Sequence, residues 1–300
     1  MRFPNSTIKP SQFKVKSSKC LPLDCSWYMP ASPRNPVREF EAMRLPGAKF
    51  FPLDAVKNPE SPYPHMIPNV RDFLKYMNKL GIKRSDDLIV YDLGGNFSAS
   101  RILWMFQVFG HPQVSLLDDF TTYKAEGGEL DTAPIDATGA DVVDISDVTD
   151  LDFYAPRDSV SMDTTMFTTY EQLHAYVRAA RSDWQIIDAR PRDRFNGTAP
   201  EPRPGLPSGH IPGALNLPFG ECLDGGKFRS PAELKTLFAG IGVDGSKPIV
   251  VMCGSGVTAC ILRTALLIIG IDNISVFDGS WTEWAQRAPQ GFIVPDPRAS

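Results

Sequence analysis

The feature that most constrains this chain is that it repeats itself. Ile89-Val90-Tyr91-Asp92 resembles Ile249-Val250-Val251-Met252 at an offset of 160. The same offset sets Ser98-Ala99-Ser100 against Thr258-Ala259-Cys260, Gly110 against Gly270 and Asp118 against Asp278. Upstream, Leu45-Pro46-Gly47-Ala48 falls on Ile211-Pro212-Gly213-Ala214, and Asp24 falls on Asp188, each with a slightly larger offset, as loop insertions produce. Copies of about 130 residues exceed a solenoid repeat and match an ordinary domain. The 300 residues therefore read as two homologous domains, 1–126 and 166–300, joined by 127–165.

Each copy alternates strand and helix signals. In the second, Thr169–Ala180 reads as a helix opened by a Thr-x-x-Gln capping box, and Trp184–Ile187 and Ala214–Leu217 as short strands. Ser230-Pro231-Ala232-Glu233 is another helix start, with Ser as N-cap and Pro in the first turn. Pro248–Met252 is continuously apolar, as a covered parallel strand requires, and Ile274–Phe277 is a further strand. Val257–Ile269 is apolar nearly all round and reads as a buried helix ending at Gly270. The expected class is α/β, each domain a mainly parallel sheet flanked by helices. Residues 127–165 hold ten acids and one base, Arg157, with no helical period, and read as a solvated linker whose length suggests that it packs along the domain surfaces.

Composition excludes several classes. Hydrophobic residues are 42% and charged residues 22%, enough apolar surface for sizeable cores. A net charge of -4 argues against a generic nucleic-acid binder. Five cysteines without CxxC spacing, with four histidines, argue against a disulfide scaffold or zinc module and for a reducing compartment. The apolar run Ala265–Ile271 is too short to span a bilayer, so no membrane association is expected. The first 23 residues are basic and lack acids. They fit a mitochondrial presequence or a solvated first strand and helix, and the early Leu21-Pro22-Leu23 strand favours the second.

The chemistry concentrates in Val250-Val251-Met252-Cys253-Gly254-Ser255-Gly256-Val257-Thr258-Ala259. A buried strand runs into Cys253, glycines allow a tight turn, and a helix begins at about Val257. Sheets of this class place ligands at such strand ends. Backbone N–H groups of a tight loop, with a helix N-terminus, stabilise an anionic sulfur and so make a cysteine nucleophilic. The alternative on the loop alone is a small cysteine filling space beneath a turn.

The loop Cys253-Gly-Ser-Gly-Val-Thr258 resembles the active-site loop of the rhodanese superfamily, in its mercaptopyruvate-type branch; the thiosulfate-preferring branch usually carries Cys-Arg-Lys-Gly-Val-Thr. Further matches are Ser26-Trp27-Tyr28, Ser61-Pro62-Tyr63-Pro64-His65-Met66, Gly209-His210-Ile211-Pro212-Gly213-Ala214 and Asp278-Gly279-Ser280-Trp281-Thr282-Glu283-Trp284. The resemblance runs from about Pro22 to Arg287 and implies two rhodanese-like domains, of which the N-terminal one is inactive. At the offset of 160, Cys253 falls on Leu93, which cannot form a persulfide.

The resemblance also implies roles. Cys253 would be the nucleophile, Gly254, Gly256, Val257 and Thr258 the loop that cradles the sulfur, and Arg194 and Arg203 the substrate-binding cations. Ser255, His65 and Asp54 resemble a Ser-His-Asp relay, with Asp54 fixing the His65 tautomer. Asn196 stands where the family often has a third arginine, and Asp119-Phe120 departs from a Gly-Gly. Arg190 and Arg192 read as solvated charges, Cys260, Cys20 and Cys25 as packing, and Cys222 as a loop residue or an exposed redox thiol. His111 and His174 have no evident partner, His210 precedes a turn, and Trp281 and Trp284 close the core.

Together these imply a sulfurtransferase that moves sulfur from 3-mercaptopyruvate through a Cys253 persulfide to a thiol such as thioredoxin, to cyanide or to a protein acceptor. It would need no cofactor or metal and would work in the cytoplasm or mitochondrion. One alternative is a thiosulfate sulfurtransferase, which the uncharged Gly254-Ser255 disfavours. Another is a relay protein handing persulfide on in tRNA or cofactor thiolation. A phosphatase of related fold needs an arginine closing the loop, whereas the first after Cys253 is Arg263, inside the helix.

Overall fold

A computed structural model describes residues 7–16, 19–137, 139–289 and 291–295. The chain divides into two units. The N-terminal unit comprises residues 1–61, 67–163 and 225–227, and the C-terminal unit residues 62–66, 164–224 and 228–300.

The N-terminal unit contains β1 (Thr7–Ile8), α1 (Pro10–Lys16), β2 (Leu21–Asp24), α2 (Pro36–Ala42), β3 (Lys49–Phe50), α3 (Val70–Leu80), β4 (Leu88–Tyr91), α4 (Ala99–Val108), β5 (Val114–Leu117) and α5 (Phe120–Ala125). Its strands are parallel and ordered β1-β5-β4-β2-β3. Local chemistry explains the helices. Asn69 caps α3 by accepting the Asp72 N–H, and Gly81, at φ +62°, ends it. Phe73, Leu74, Tyr76 and Met77 lie on the buried face between. The basic start of the chain belongs to this unit from residue 7 onward: β1 pairs with β5, and Phe13 is buried edge-on to Tyr123.

Residues 127–163 group with the N-terminal unit, and most of their acids are exposed. Arg44 and Asp131 exchange backbone hydrogen bonds and form an ion pair of 2.9 Å. Tyr154 packs edge-on against Phe73, and its hydroxyl lies 2.7 Å from His111 Nδ1. Ala137, Val148, Tyr154 and Val160 are buried. These apolar residues have no period, so they build no helix beyond a single turn at Arg157–Ser159. Each still docks separately on the N-terminal unit.

The C-terminal unit contains β6 (Phe167–Thr168), α6 (Tyr170–Arg178), β7 (Gln185–Asp188), α7 (Arg192–Phe195), β8 (Leu215–Asn216), β9 (Leu223–Asp224), β10 (Lys227–Phe228, whose first residue groups with the other unit), α8 (Pro231–Gly240), β11 (Ile249–Met252), α9 (Ala259–Ile268), β12 (Ile274–Phe277) and α10 (Ser280–Arg287). Its main sheet, β6-β12-β11-β7-β8, is parallel and repeats the first strand for strand. The capping box read at Thr169 is formed with Gln172, and the Ser230 N-cap also forms one, with Glu233. The paired Pro-Gly turns also coincide: Ala48 N–H bonds Leu45 O and Ala214 N–H bonds Ile211 O, with Gly47 and Gly213 at φ +71° and +79°. Trp281 and Trp284 are fully buried in the core with Met252 and Phe277.

No helix among the described residues is long and apolar enough to cross a membrane.

Candidate active site

β11 delivers Cys253 to the C-terminal edge of the second sheet. All four strand residues are buried, and Cys253 is 3% exposed. Met252 pairs with Asp188 across β11 and β7, as Tyr91 pairs with Asp24 across β4 and β2. The register therefore sets Cys253 against Asp92, correcting the match to Leu93 that a constant sequence offset gives. The following helices, α4 and α9, both begin at an alanine, Ala99 and Ala259, so the first loop holds one extra residue.

The Asp92 side chain shows what such a loop does. Its Oδ1 accepts the Gly94 N–H at 2.9 Å, and its Oδ2 accepts those of Ser98 and Ala99 at 2.9 and 2.8 Å. The first loop thus wraps its amides round an anion belonging to the chain. The second loop presents a sulfur at that position, with Thr258 and Ala259 in the places of Ser98 and Ala99. Gly256, at φ +79°, makes the turn toward α9 that a residue with a Cβ resists.

The N-terminal end of α10 holds the Cys253 loop. Ser280 Oγ accepts the Cys253 N–H at 3.1 Å and donates to Phe277 O at 2.8 Å. Trp281 N–H donates to Cys253 O, while Thr282 donates to Gly254 O from both its N–H and its hydroxyl, the latter at 2.7 Å. The first turn of a helix has N–H groups without helical partners, and here loop carbonyls take them. Ser280 sits at φ +50°, a left-handed conformation uncommon for a residue with a Cβ. The sequence reading gives Ser280 and Thr282 no role.

Four further expected residues meet at this loop. His65 Nδ1 lies 3.1 Å from Ser255 Oγ, and both residues are buried. Although His65 precedes α3, it groups with the C-terminal unit, and its backbone is left-handed at φ +62°. Arg203 donates to Ser255 Oγ at 3.4 Å. A Cβ on Gly254 would stand 3.3 Å from the Arg194 guanidinium and 3.9 Å from that of Arg203. A glycine at 254 therefore lets both cations approach the loop. Asp54 belongs to the N-terminal unit, where its carboxylate accepts the Trp27 indole N–H at 2.7 Å.

Arg190 is not a solvated charge. It is buried, its guanidinium 4.0 Å over the Trp281 ring, and it pairs with Asp188 at 2.6 Å and Glu201 at 2.8 Å. Glu201 also receives the Arg194 guanidinium through both Nε and a terminal nitrogen. An acid between Arg194 and Arg203, two residues before the latter, is the available signal for this link. Arg192 is the exposed member, paired with Glu221.

The remaining candidates have ordinary settings. Cys222 is fully buried rather than exposed, and burial pushes its thiol up to about 12, which removes it as a redox thiol. Cys260, in α9, donates to Gly256 O of the preceding loop, and Cys25 donates to Leu23 O. His111 is held by Tyr154 and Asp86 O, His174 stacks on Tyr170, and His210 stacks on Phe195. Asp119 adopts φ +73° and caps α5 by accepting the Thr122 N–H, a structural account of the Asp119-Phe120 departure. Among the described residues, no cluster of His, Cys, Asp and Glu could hold a metal ion.

The rhodanese-like domain family matches residues 169–287. The 3-mercaptopyruvate sulfurtransferase of Mus musculus is 39% identical over 92% of this chain and 88% of its own length. The Arabidopsis thaliana "Thiosulfate/3-mercaptopyruvate sulfurtransferase 1, mitochondrial" is 40% identical over 88% of this chain and 71% of its own. The crystal structure of the Tum1 protein from Saccharomyces cerevisiae superposes with a TM-score of 0.84 at 33% identity, covering 97% of this chain and 98% of that one.

Proposed function

We propose, for a chain that belongs to the rhodanese-like sulfurtransferase family, that Cys253 carries sulfur from 3-mercaptopyruvate as a persulfide. The Cys253 thiolate attacks the donor sulfur. The carbon–sulfur bond breaks, and its electron pair leaves on the pyruvate enolate. The proton lost by Cys253 balances the one the enolate gains. Ser255, within reach of His65, is the group that delivers it. Arg194 and Arg203 hold the carboxylate and keto oxygen. The amides of Gly254, Gly256, Val257 and Thr258 cradle the anionic sulfur.

The observation that carries this reading is the placing of Ser255 between His65 and Arg203 beside a buried cysteine at a strand end. The persulfide then passes to a thiol such as thioredoxin, to cyanide or to a relay protein for tRNA or cofactor thiolation. The proposed compartment is reducing, cytoplasmic or mitochondrial, and the plant relative's name carries a mitochondrial one. That relative's dual name also favours thiosulfate as a second donor.

Intact mass after brief incubation with equimolar 3-mercaptopyruvate tests the reading. The protein is expected to gain one sulfur, about 32 Da, and Cys253→Ser to gain none. Pyruvate formation by Cys253→Ser at the wild-type rate would overturn it.

A further inference from the structure

The residues behind the two arginines form a chain of alternating charge: Asp188, Arg190, Glu201, Arg194. Asp188 and Arg190 are buried, and the Glu201 side chain is 3% exposed. Only Arg194, at 18%, reaches toward the loop. The chain contains two acids and two bases and has no net charge. Arg194 thus approaches Gly254 as a fixed donor whose positive charge is already answered by Glu201.

We infer that Glu201 is a specificity-determining residue that biases this site toward monoanionic sulfur donors and against dianionic ones. The inference rests on the sulfur-donor reading above and concerns which donor charge the same site prefers. At neutral pH 3-mercaptopyruvate carries one negative charge and thiosulfate two. A change in the electrostatic potential at the site acts twice as strongly on a dianion as on a monoanion. The Glu201 carboxylate lowers that potential by one buried negative charge, where screening by salt is weak. It leaves the hydrogen-bond geometry of Arg194 intact, and even sharpens it, because a guanidinium gripped through two nitrogens is held in one plane. Loops that favour dianions reach the opposite balance by adding bases. Here Gly254 and Ser255 add none, and Glu201 subtracts one.

The test is the ratio of single-turnover loading rates for thiosulfate and 3-mercaptopyruvate, followed by intact mass. In Glu201→Gln the ratio is expected to rise about tenfold over wild type. Glu201→Asp keeps the charge and should leave the ratio within about twofold, even where both rates fall. Asn196→Arg adds a cation on the exposed turn two residues from Arg194 without touching the chain of pairs, and should raise the ratio by about threefold. That variant decides the matter if Glu201→Gln does not fold. An unchanged or lowered ratio in Glu201→Gln, or an equal shift in Glu201→Asp, overturns the inference. If neither donor loads the wild-type protein, the functional reading fails, and Glu201 is then judged by binding alone. In a Cys253→Ser background, Glu201→Gln should raise the affinity for sulfate relative to pyruvate, and no such rise would overturn the role of its charge.

Discussion

The Asp92 carboxylate accepts the backbone N–H of Ala99 at 2.8 Å, and Asp92 occupies the register position that Cys253 holds in the second sheet. One chain thus contains the same loop twice, once closed on its own carboxylate and once ending in a thiol. Charge-assisted bonds of this kind are individually strong, and three of them converge on Asp92. Replacing Asp92 by Ala leaves partly buried N–H groups unmatched. Unfolding by urea should show a loss of about 3 kcal/mol. Sulfur loading at Cys253, measured under conditions where the variant is folded, should stay within about twofold, since Asp92 belongs to the N-terminal unit's own loop.

The 3.1 Å approach of His65 Nδ1 to Ser255 Oγ predicts an effect that depends on the donor. Only 3-mercaptopyruvate leaves an enolate that needs a proton; thiosulfate leaves sulfite, which does not. General acid catalysis contributes about 100-fold or more. Ser255→Ala should therefore slow pyruvate formation by about 100-fold while changing loading from thiosulfate by less than about threefold. His65→Asn, chosen because asparagine tolerates the left-handed backbone at this position, should do the same. An equal fall on both donors would mean that the pair shapes the loop instead of moving a proton.

What the sequence revealed and what it hid divide along the range of the interactions. The capping boxes at Thr169 and Ser230, the turn pair at Gly47 and Gly213, and the buried β11 and α9 follow from residues within a few positions of one another. The positions of Cys253 and Ser255 at a strand end are legible because strand, loop and helix lie close together, whereas Arg194 and Arg203, distant in sequence, are reached only through the family resemblance. The Asp92 equivalence was not, because one extra loop residue shifts the strand and leaves the helix in step. Burial of Arg190 depends on Glu201, which is separated from it by a Pro/Gly-rich loop. Cys222 lies in a stretch rich in glycine, but the helical turn Phe219–Cys222 packs against α9 and α8, which covers the thiol. Ser280 and Thr282 reach Cys253 and Gly254 only through sheet topology, which no local pattern encodes.

The two bonds from Thr282 to Gly254 O make a separable prediction. Thr282→Val keeps the backbone bond and the shape while removing the hydroxyl bond of 2.7 Å. The glycine carbonyl retains one donor, so the loss of stability should be about 1 kcal/mol. A loop peptide released by a fraction of an ångström misplaces the amides round the sulfur. The expected result is a fall of about tenfold in kcat for sulfur transfer, with KM within about twofold. A change confined to KM would show that the contact serves donor binding and not the placing of Cys253.

Asp24 is the counterpart of Asp188 at the end of β2, but Ser26 stands where Asp188 has Arg190. Its carboxyl is fully buried, and Oδ1 accepts the Ser26 N–H. Burial pushes its pKa up to about 7, with Ser26 and the Tyr91 hydroxyl opposing the rise and the nearby Asp92 adding to it. In the unfolded chain an aspartate titrates near 3.9. Because the folded value is the higher one, the native state favours the protonated form. The resulting stabilisation is complete below about pH 4, declines as the pH rises toward 7, and is gone above it. Asp24→Asn has no such titration. Its stability relative to wild type should therefore climb between pH 4 and 7, by at most about 4 kcal/mol, and then level off. Urea midpoints for both proteins at pH 5, 6, 7 and 8 measure this directly. Parallel curves across that range would mean that Asp24 keeps its charge in the fold and that another group answers it.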